Sequence, residues 1–222
     1  MLLSADNKRI EKIVNILRKA VKKFDDPSVT MISKRWHDPF LVLISCMLSQ
    51  RTKDTTTLPA SERLFALASR PQDFLTLSLA KIERAIFPVG FYRTKARSIK
   101  SVCRVLMNQF QSKVPDDIDT LLTLQGVGRK TANLVLTEGF GKLGICVDTH
   151  VHRISNRLGY VKTKTPDETE MALRKKLPQR FWIEYNVLLV LWGQNVCKPI
   201  SPFCSQCVIR ALCPCRGVDQ KR

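Results

Sequence analysis

The hydrophobic residues of this chain recur at intervals of three and four positions, which is the spacing of one buried face of an α-helix. The first such face consists of Ile10, Ile13, Val14, Leu17, Val21 and Phe24. Asp6 is expected to cap this helix, and Asp38 followed by Pro39 is expected to open a central helix that is apolar on almost every side. Further helices are predicted near 59–69, 72–76, 79–86, 94–111, 117–123, 129–138, 148–158, 167–176 and 181–194. No long run of alternating β-branched residues occurs, so the pattern predicts an all-α fold.

The composition narrows the class of partner. The chain has 222 residues, of which 44% are hydrophobic, so it can bury a core of its own. Its 37 Lys and Arg against 19 Asp and Glu give a net charge of +18, which favours a polyanion, above all nucleic acid. A merely solvated basic surface would explain the charge too. An anionic membrane is a weaker alternative, and no stretch reaches the ~20 apolar residues of a membrane span.

The segment from Met1 to Asp6 holds too short an apolar run for a secretory signal, so we expect a cytoplasmic protein, nucleoid-associated if it is prokaryotic. In that compartment the cysteines are reduced. Four of them form the spacing C-x6-C-x2-C-x5-C, namely Cys197, Cys204, Cys207 and Cys213. Zinc usually takes two C-x2-C pairs, and the single pair here suits an iron–sulfur cluster better. Cys215 is interpreted as a cysteine that does not bind the cluster.

A Gly-Val-Gly turn, formed by Gly126, Val127 and Gly128, lies between two predicted helices. The glycines let the backbone approach another molecule closely, and the first N–H groups of the following helix suit a phosphate. This helix-hairpin-helix pattern holds DNA by its backbone, although a plain turn would also explain it. Lys130 is either a further phosphate contact beside Arg129 or a nucleophile, and the local sequence alone favours the phosphate contact.

Asp148 follows an apolar stretch and precedes a basic helix. An ordinary N-cap explains this aspartate, and so does a catalytic carboxylate that stabilises an oxocarbenium-like state. We expect His150 to be a polar residue of the core or of the site's support, and His152 to face a phosphate. Arg153 and Arg157 lie one helical turn apart and are expected to meet DNA or a carboxylate.

In this order, the motifs resemble the endonuclease III family of the helix-hairpin-helix DNA glycosylase superfamily. The resemblance covers nearly the whole chain and rests on Leu48-Ser49, Asp54, Gly90-Phe91-Tyr92, Lys95-Ala96, residues 126–133, residues 147–150 and the cysteine spacing. It implies two all-α domains with a DNA-binding cleft between them. Residues 30–142 would form a six-helix barrel with the hairpin, and residues 1–29 plus 143–222 an iron–sulfur cluster domain.

The resemblance also implies a function. The chain would be a monomeric base-excision-repair DNA glycosylase with AP lyase activity, acting on oxidised pyrimidines in damaged duplex DNA and cutting 3′ to the abasic site. Lys130 matches the nucleophile that forms a Schiff base, and Asp148 the catalytic carboxylate. The four cysteines match the ligands of a [4Fe–4S] cluster. The implied DNA-binding residues are Gln50, Arg51, Gly126, Val127, Gly128, Arg129, Thr131, His150 and Lys198.

The chain departs from the family pattern at two places. Gln125 replaces the proline that usually precedes the hairpin glycine, and Arg51 stands where many members have the glutamine that wedges into the gap left by a flipped base. Gln50 and Arg51 are therefore both candidates for the wedge. Two alternative functions stay open, a monofunctional mismatch glycosylase and a non-catalytic damage-binding protein. Many mismatch thymine glycosylases of this group carry tyrosine at the position of Lys130.

Overall fold

The computed structural model describes residues 4–222, so the first three residues of the segment considered above for a secretory signal lie outside the described residues. Within this part the regular elements are helical and no β-strand occurs, which confirms the predicted all-α fold. The α-helices are α1 (Ala5–Ala20), α2 (Ser28–Trp36), α3 (Pro39–Ser49), α4 (Asp54–Phe65), α5 (Pro71–Thr76), α6 (Leu79–Ile86), α7 (Tyr92–Gln109), α8 (Ile118–Leu122), α9 (Arg129–Leu134), α10 (Thr149–Arg157), α11 (Pro166–Lys176) and α12 (Trp182–Asn195). Short 3₁₀ turns occupy Val21–Lys23, Gln179–Phe181, Cys204–Gln206 and Arg210–Leu212, and a π-helical turn occupies Val135–Gly139. Between residues 4 and 222, no helix combines the length and apolarity needed to cross a membrane.

The helices divide into two compact units. The hairpin unit comprises Pro27–Lys142, and the cysteine unit comprises the chain up to Asp26 together with Leu143–Arg222. Their second boundary lies in the glycine-rich segment 139–144. The assignment of 30–142 to a six-helix barrel and of 1–29 plus 143–222 to an iron–sulfur domain stays a prediction, as does the DNA-binding cleft.

The hairpin unit is built around α3, which is buried from Phe40 to Leu48. As predicted, Asp38 caps this helix, its Oδ1 accepting a hydrogen bond of 2.7 Å from the backbone N–H of Phe40. An apolar helix of this kind needs neighbours on all sides, and α2, α4, α7 and the π-helical turn pack against it. The C-terminal end of α3 leads directly into the turn that carries Gln50 and Arg51.

Two features of the hairpin unit differ from the sequence prediction. Helix α2 was not predicted, because its N-terminus is capped from a distance: Asp54 Oδ1 accepts hydrogen bonds from Ser28 N–H at 3.2 Å and from Ser28 Oγ at 2.5 Å. Helix α4 begins at Asp54 rather than near residue 59, with Pro59 inside it. Pro59 lacks the N–H of the helical ladder and crowds the carbonyl group of Thr55, and burial of Leu64 and its neighbours stabilises the helix despite this cost.

The cysteine unit confirms the first predicted hydrophobic face. Ile10, Ile13, Val14 and Leu17 are buried, and α1 packs on α12. The predicted cap was wrong, because Ser4 rather than Asp6 accepts the capping bond, at 3.2 Å from Asn7 N–H. Asp6 lies in the first turn and pairs with Lys176 at 2.6 Å. That hydrogen bond holds the pKa of the Asp6 carboxyl below its usual value.

Candidate functional site

The predicted hairpin forms between α8 and α9. Gly126 has a φ of +81°, a conformation that glycine adopts without strain, and Val127 is buried between the helices. Gly128 is different, since its backbone is extended and a Cβ added there would meet no heavy atom within 4 Å. The fold therefore requires glycine at position 126, whereas at 128 it leaves open space beside the backbone.

Lys130 is exposed on the first turn of α9, directly after this open space. Its neighbour Arg129 is half-buried, and its other neighbour Thr131 is buried. Helix α9 continues without interruption into the π-helical turn, which packs on α3. The amine of Lys130 is thus carried by a helix end that is anchored in the core of the hairpin unit.

The turn after α3 is joined to the hairpin through Gln50. Gln50 Nε2 donates to the carbonyl oxygen of Gly126 at 2.8 Å and to Thr131 Oγ1 at 3.2 Å. The next residue, Arg51, is exposed and has a φ of +51°, and its guanidinium lies 5.7 Å from the ring centre of Phe91. The structure therefore brings Gln50 into the hairpin and leaves Arg51 at the surface.

Asp148 is the N-cap of α10 in the cysteine unit. Its Oδ1 accepts hydrogen bonds from the backbone N–H groups of His150 at 2.8 Å and Val151 at 2.9 Å. The residues before Asp148 are buried, and Asn186 Nδ2 donates to the carbonyl oxygen of Cys146 at 3.0 Å. Both capping bonds use Oδ1, so the cap does not engage Oδ2 of this half-buried carboxylate.

The arginines of α10 bind the backbone of the cysteine segment. Arg153 Nη2 donates to the carbonyl oxygen of Cys197 at 2.8 Å, and Arg157 donates to that of Lys198 at 2.7 Å and that of Pro199 at 2.5 Å. Arg157 Nη1 also lies 3.3 Å from the Cys197 sulfur. The helix face that carries them packs on the cysteine segment, and Arg153 also interacts electrostatically with the Asp148 carboxylate. A contact of either arginine with DNA stays a prediction.

The two other predicted DNA contacts of the cysteine unit are half-buried. His150 packs beside Gly193, with its Nδ1 at 3.1 Å from Arg153 Nη2, which agrees with a supporting polar role. Lys198 Nζ donates to the carbonyl oxygen of Gln194. A contact of either side chain with DNA stays a prediction. His152, expected to face a phosphate, has its Nδ1 at 2.7 Å from Thr169 Oγ1.

The four predicted metal ligands share one pocket. Cys197, Cys204, Cys207 and Cys213 line it, together with Cys215 and apolar residues that include Ile154, Leu158, Val196 and Ile209. None of the eight cysteines is in a disulfide. Among residues 4–222, no group of three or more His, Cys, Asp or Glu side chains is placed to hold a metal ion. The four thiols thus line a common pocket.

The surroundings of these thiols fit a sulfur-ligated metal centre. Burial raises the pKa of Cys213 to about 12, and the proximity of Cys215 and Cys197 raises it as well. Burial also raises the pKa of Cys207, which the Ile209 backbone and the Trp192 indole lower. The buried indole N–H of Trp192 is near enough to the Cys207 sulfur to lower its pKa, but it makes no hydrogen bond of ordinary geometry with a described acceptor. A cationic centre bound by thiolates would relieve the mutual repulsion and offer this N–H an acceptor.

Comparison with known proteins places the chain in a family. The model of the HhH-GPD superfamily of base excision DNA repair proteins matches residues 44–179. Endonuclease III of Thermotoga maritima is 45% identical over 201 residues, which cover 90% of this chain and 92% of that protein. The structure of a non-covalent endonuclease III–DNA complex matches with a TM-score of 0.83 at 33% identity, covering 96% of each chain. That of a trapped endonuclease III–DNA covalent intermediate has the same TM-score and identity and covers 96% of this chain and 97% of the other.

These matches confirm the resemblance found in the sequence. They include the hairpin and Asp148, since both lie within the matched residues. The protein is accordingly a DNA-repair enzyme of the DNA glycosylase class. The chain belongs to the HhH-GPD superfamily of base excision DNA repair proteins and is similar to endonuclease III over nearly its whole length.

Proposed function

We propose that the protein is a bifunctional DNA glycosylase and AP lyase that removes oxidised pyrimidines from duplex DNA. The observation that carries this proposal is the position of Lys130, an exposed amine on the first turn of the helix that leaves the hairpin. A primary amine at this place can form a covalent bond with the sugar of a nucleotide whose backbone the hairpin holds. The trapped covalent intermediate of a similar endonuclease III supports this chemistry.

The proposed reaction cuts the strand in three steps, which begin once the damaged base is flipped out of the duplex. First, the Lys130 nitrogen attacks the sugar C1′, the bond between C1′ and the base breaks, and the base leaves with a proton. Second, the sugar ring opens and the C1′–nitrogen bond becomes a protonated Schiff base. Third, a proton is lost from C2′ and the C3′–oxygen bond breaks, which cuts the strand. Water then hydrolyses the Schiff base and returns the amine.

Asp148 is proposed to supply negative charge to this reaction. Breaking the glycosidic bond builds positive charge on the sugar, and a fixed carboxylate stabilises it. The N-cap bonds on Oδ1 fix the orientation of Asp148 and leave Oδ2 for the sugar or for the proton of the attacking amine. The cap and the catalytic role are therefore compatible in one residue.

We further propose that Cys197, Cys204, Cys207 and Cys213 hold a [4Fe–4S] cluster. Such a cluster would be held by four thiolates, and the four cysteines line one pocket. The cluster would supply a covalent crosslink for the loop around residues 197–213 and take no part in the proton transfers. Trp192 and Arg157 would donate hydrogen bonds toward its sulfur atoms.

The cluster assignment predicts which cysteine variants lose the visible absorption of an iron–sulfur protein. Cys197→Ser is expected to abolish the broad absorption and the bound iron, because three thiolates hold a cubane poorly. Cys215→Ser is the matched control, since Cys215 lines the same pocket and its sulfur lies 3.8 Å from that of Cys213. It is expected to keep both signals. Colourless wild-type protein with stoichiometric zinc would contradict the assignment.

At Gly128, a substitution is expected to change the affinity for DNA without changing the stability of the protein. Gly128→Ala is expected to leave the melting temperature nearly unchanged, because the added Cβ meets no atom of the protein. It is expected to weaken duplex binding about tenfold or more, because it holds a phosphate away from the backbone N–H groups, and such hydrogen bonds contribute about 1.5–3 kcal/mol. Fluorescence anisotropy with a labelled abasic-site duplex measures the affinity. Unchanged affinity would mean that the hairpin is a plain turn.

Arg51 is proposed as the residue that enters the gap left by the flipped nucleotide. The amide of Gln50 is engaged with Gly126 and Thr131, whereas Arg51 is exposed beside Phe91. A guanidinium both stacks and donates hydrogen bonds, so it can contact the orphaned base by its edge or its face.

Turnover on a panel of duplexes that differ in lesion and in opposing base tests the proposed function, with borohydride trapping run alongside. Release of oxidised pyrimidines together with strand cutting and a trapped adduct is the expected result. Base release without strand cutting would indicate a monofunctional glycosylase. Binding without either product would indicate a damage-binding protein.

A further inference from the structure

A buried lysine lies beneath the turn that carries Gln50 and Arg51. Lys95, in the first turn of α7, is only 7% exposed. Its Nζ donates to the carbonyl oxygen of Leu48 at 2.7 Å, to that of Gln50 at 2.5 Å and to Thr52 Oγ1 at 3.3 Å. An ammonium group has three donors, and all three acceptors come from this one turn.

The same turn is held from a second direction by Gly90. The backbone N–H of Gly90 donates to Thr52 Oγ1 at 3.2 Å. A Cβ at Gly90 would lie 2.9 Å from the carbonyl oxygen of Arg51, a backbone atom that cannot move aside on its own. Residues 90 and 95 therefore define the position of the backbone from Leu48 to Thr52.

Burial of the Lys95 ammonium group costs free energy, and folding of the hairpin unit alone does not require that cost. Burial lowers the pKa of Lys95 to about 8, which shows that the charged amine is held against a desolvation cost. No carboxylate is among its hydrogen-bond partners, which are two carbonyl oxygens and a hydroxyl. The turn also keeps Arg51 in a left-handed conformation, with φ at +51°, that is uncommon for a residue other than glycine.

We propose that Lys95 is a positioning residue that fixes the Gln50–Thr52 turn so that Arg51 meets duplex DNA in a preset conformation. The inference rests on the proposed function, because it assigns Arg51 to the gap in the duplex. Without the clamp the turn would sample other conformations, and each binding event would have to order it. A displacement of about 1 Å near a reacting centre can cost about a hundredfold in rate.

Lys95→Met tests the proposal, because methionine keeps the apolar stem and removes the three donors. Single-turnover strand cutting is measured on a duplex abasic site and on the same strand without its complement, since a single strand offers no gap to fill. The duplex rate is expected to fall about 10- to 100-fold and the single-strand rate less than threefold. The proposal would be overturned if the duplex rate and the single-strand rate fell by the same factor, or if neither rate fell.

Lys100→Met is the matched control. Lys100 lies on the same helix and clamps another turn in the same manner, donating to the carbonyl oxygens of Leu75 at 3.1 Å and Leu77 at 2.5 Å. This variant is expected to lower stability to a similar degree and to leave the ratio of duplex to single-strand rate at the wild-type value. If Lys100→Met changed the ratio of duplex to single-strand rate as much as Lys95→Met does, lost stability would explain the effect of both variants.

Gly90→Ala provides a second route, should Lys95→Met fail to fold. It displaces the Arg51 carbonyl while Lys95 is intact, and it is expected to lower the same ratio at least fivefold. The fluorescence of 2-aminopurine opposite a tetrahydrofuran abasic analogue gives an independent signal, which wild-type protein is expected to raise and both variants to raise less. Gly90→Ala with wild-type ratio and fluorescence would overturn the proposal. Absence of strand cutting by the wild-type protein would instead refute the proposed function, while the fluorescence comparison would still test the clamp.

Discussion

Lys130→Ala is expected to yield no covalent adduct when the protein is mixed with abasic-site DNA and borohydride, and to cut no strand. The Schiff base requires a primary amine, and Lys130 is the amine that α9 presents beside the hairpin. Gel electrophoresis of the trapped protein–DNA species measures the result. Lys130→Arg is expected to bind the duplex with near wild-type affinity and still form no adduct, since it keeps the charge and removes the nucleophile.

The matched control for lost charge is Lys142→Ala. Lys142 is an exposed lysine of the same unit, paired with Asp116 at 2.6 Å. Because an exposed ion pair contributes little to stability, this variant is expected to trap and cut like the wild type. Undiminished adduct in Lys130→Ala would place the nucleophile on another residue.

The second large effect is expected at Asp148. Asp148→Asn should lower single-turnover base release by about 10²–10⁴-fold, because the amide is neutral and neither stabilises positive charge nor accepts a proton. Its stability should change little, since asparagine caps a helix about as well as aspartate. Rapid-quench assays measure the rate, and thermal unfolding measures the stability.

Asp148→Ala separates the two roles of this residue. Alanine removes the carboxylate and also the cap on His150 and Val151, so about 1 kcal/mol of stability should be lost in addition to the rate. If Asp148→Asn and the wild type released the base at equal rates, Asp148 would serve only as a helix cap.

The sequence predicted those parts of the molecule that depend on neighbouring residues. The Asp38–Pro39 cap, the buried face of α1 and the glycines of the hairpin are set within a few positions of one another, so local patterns indicate them. The spacing of the four cysteines predicted a common metal centre, which stays a prediction, and the structure shows that all four line one pocket.

Features that depend on distant partners were missed. Helix α2 is capped by Asp54, 26 positions from Ser28, and nothing near Ser28 indicates that cap. Arg153 and Arg157 were expected to meet DNA or a carboxylate, and nothing near them in the sequence indicated their backbone acceptors, which are carbonyl groups about 40 positions away. Lys95 is a similar case, since a lysine near a helix start is ordinarily exposed and its acceptors lie 43–47 positions earlier.

Helix α10 has a consequence for how the protein matures. Its first residue follows Asp148, and one face of its second half grips the segment that begins at Cys197. If the four cysteines hold the proposed cluster, its insertion during maturation would fix one end of α10, while Asp148 caps the other end. We therefore expect protein without the cluster to keep most of its fold and to release damaged bases more slowly than protein that carries it.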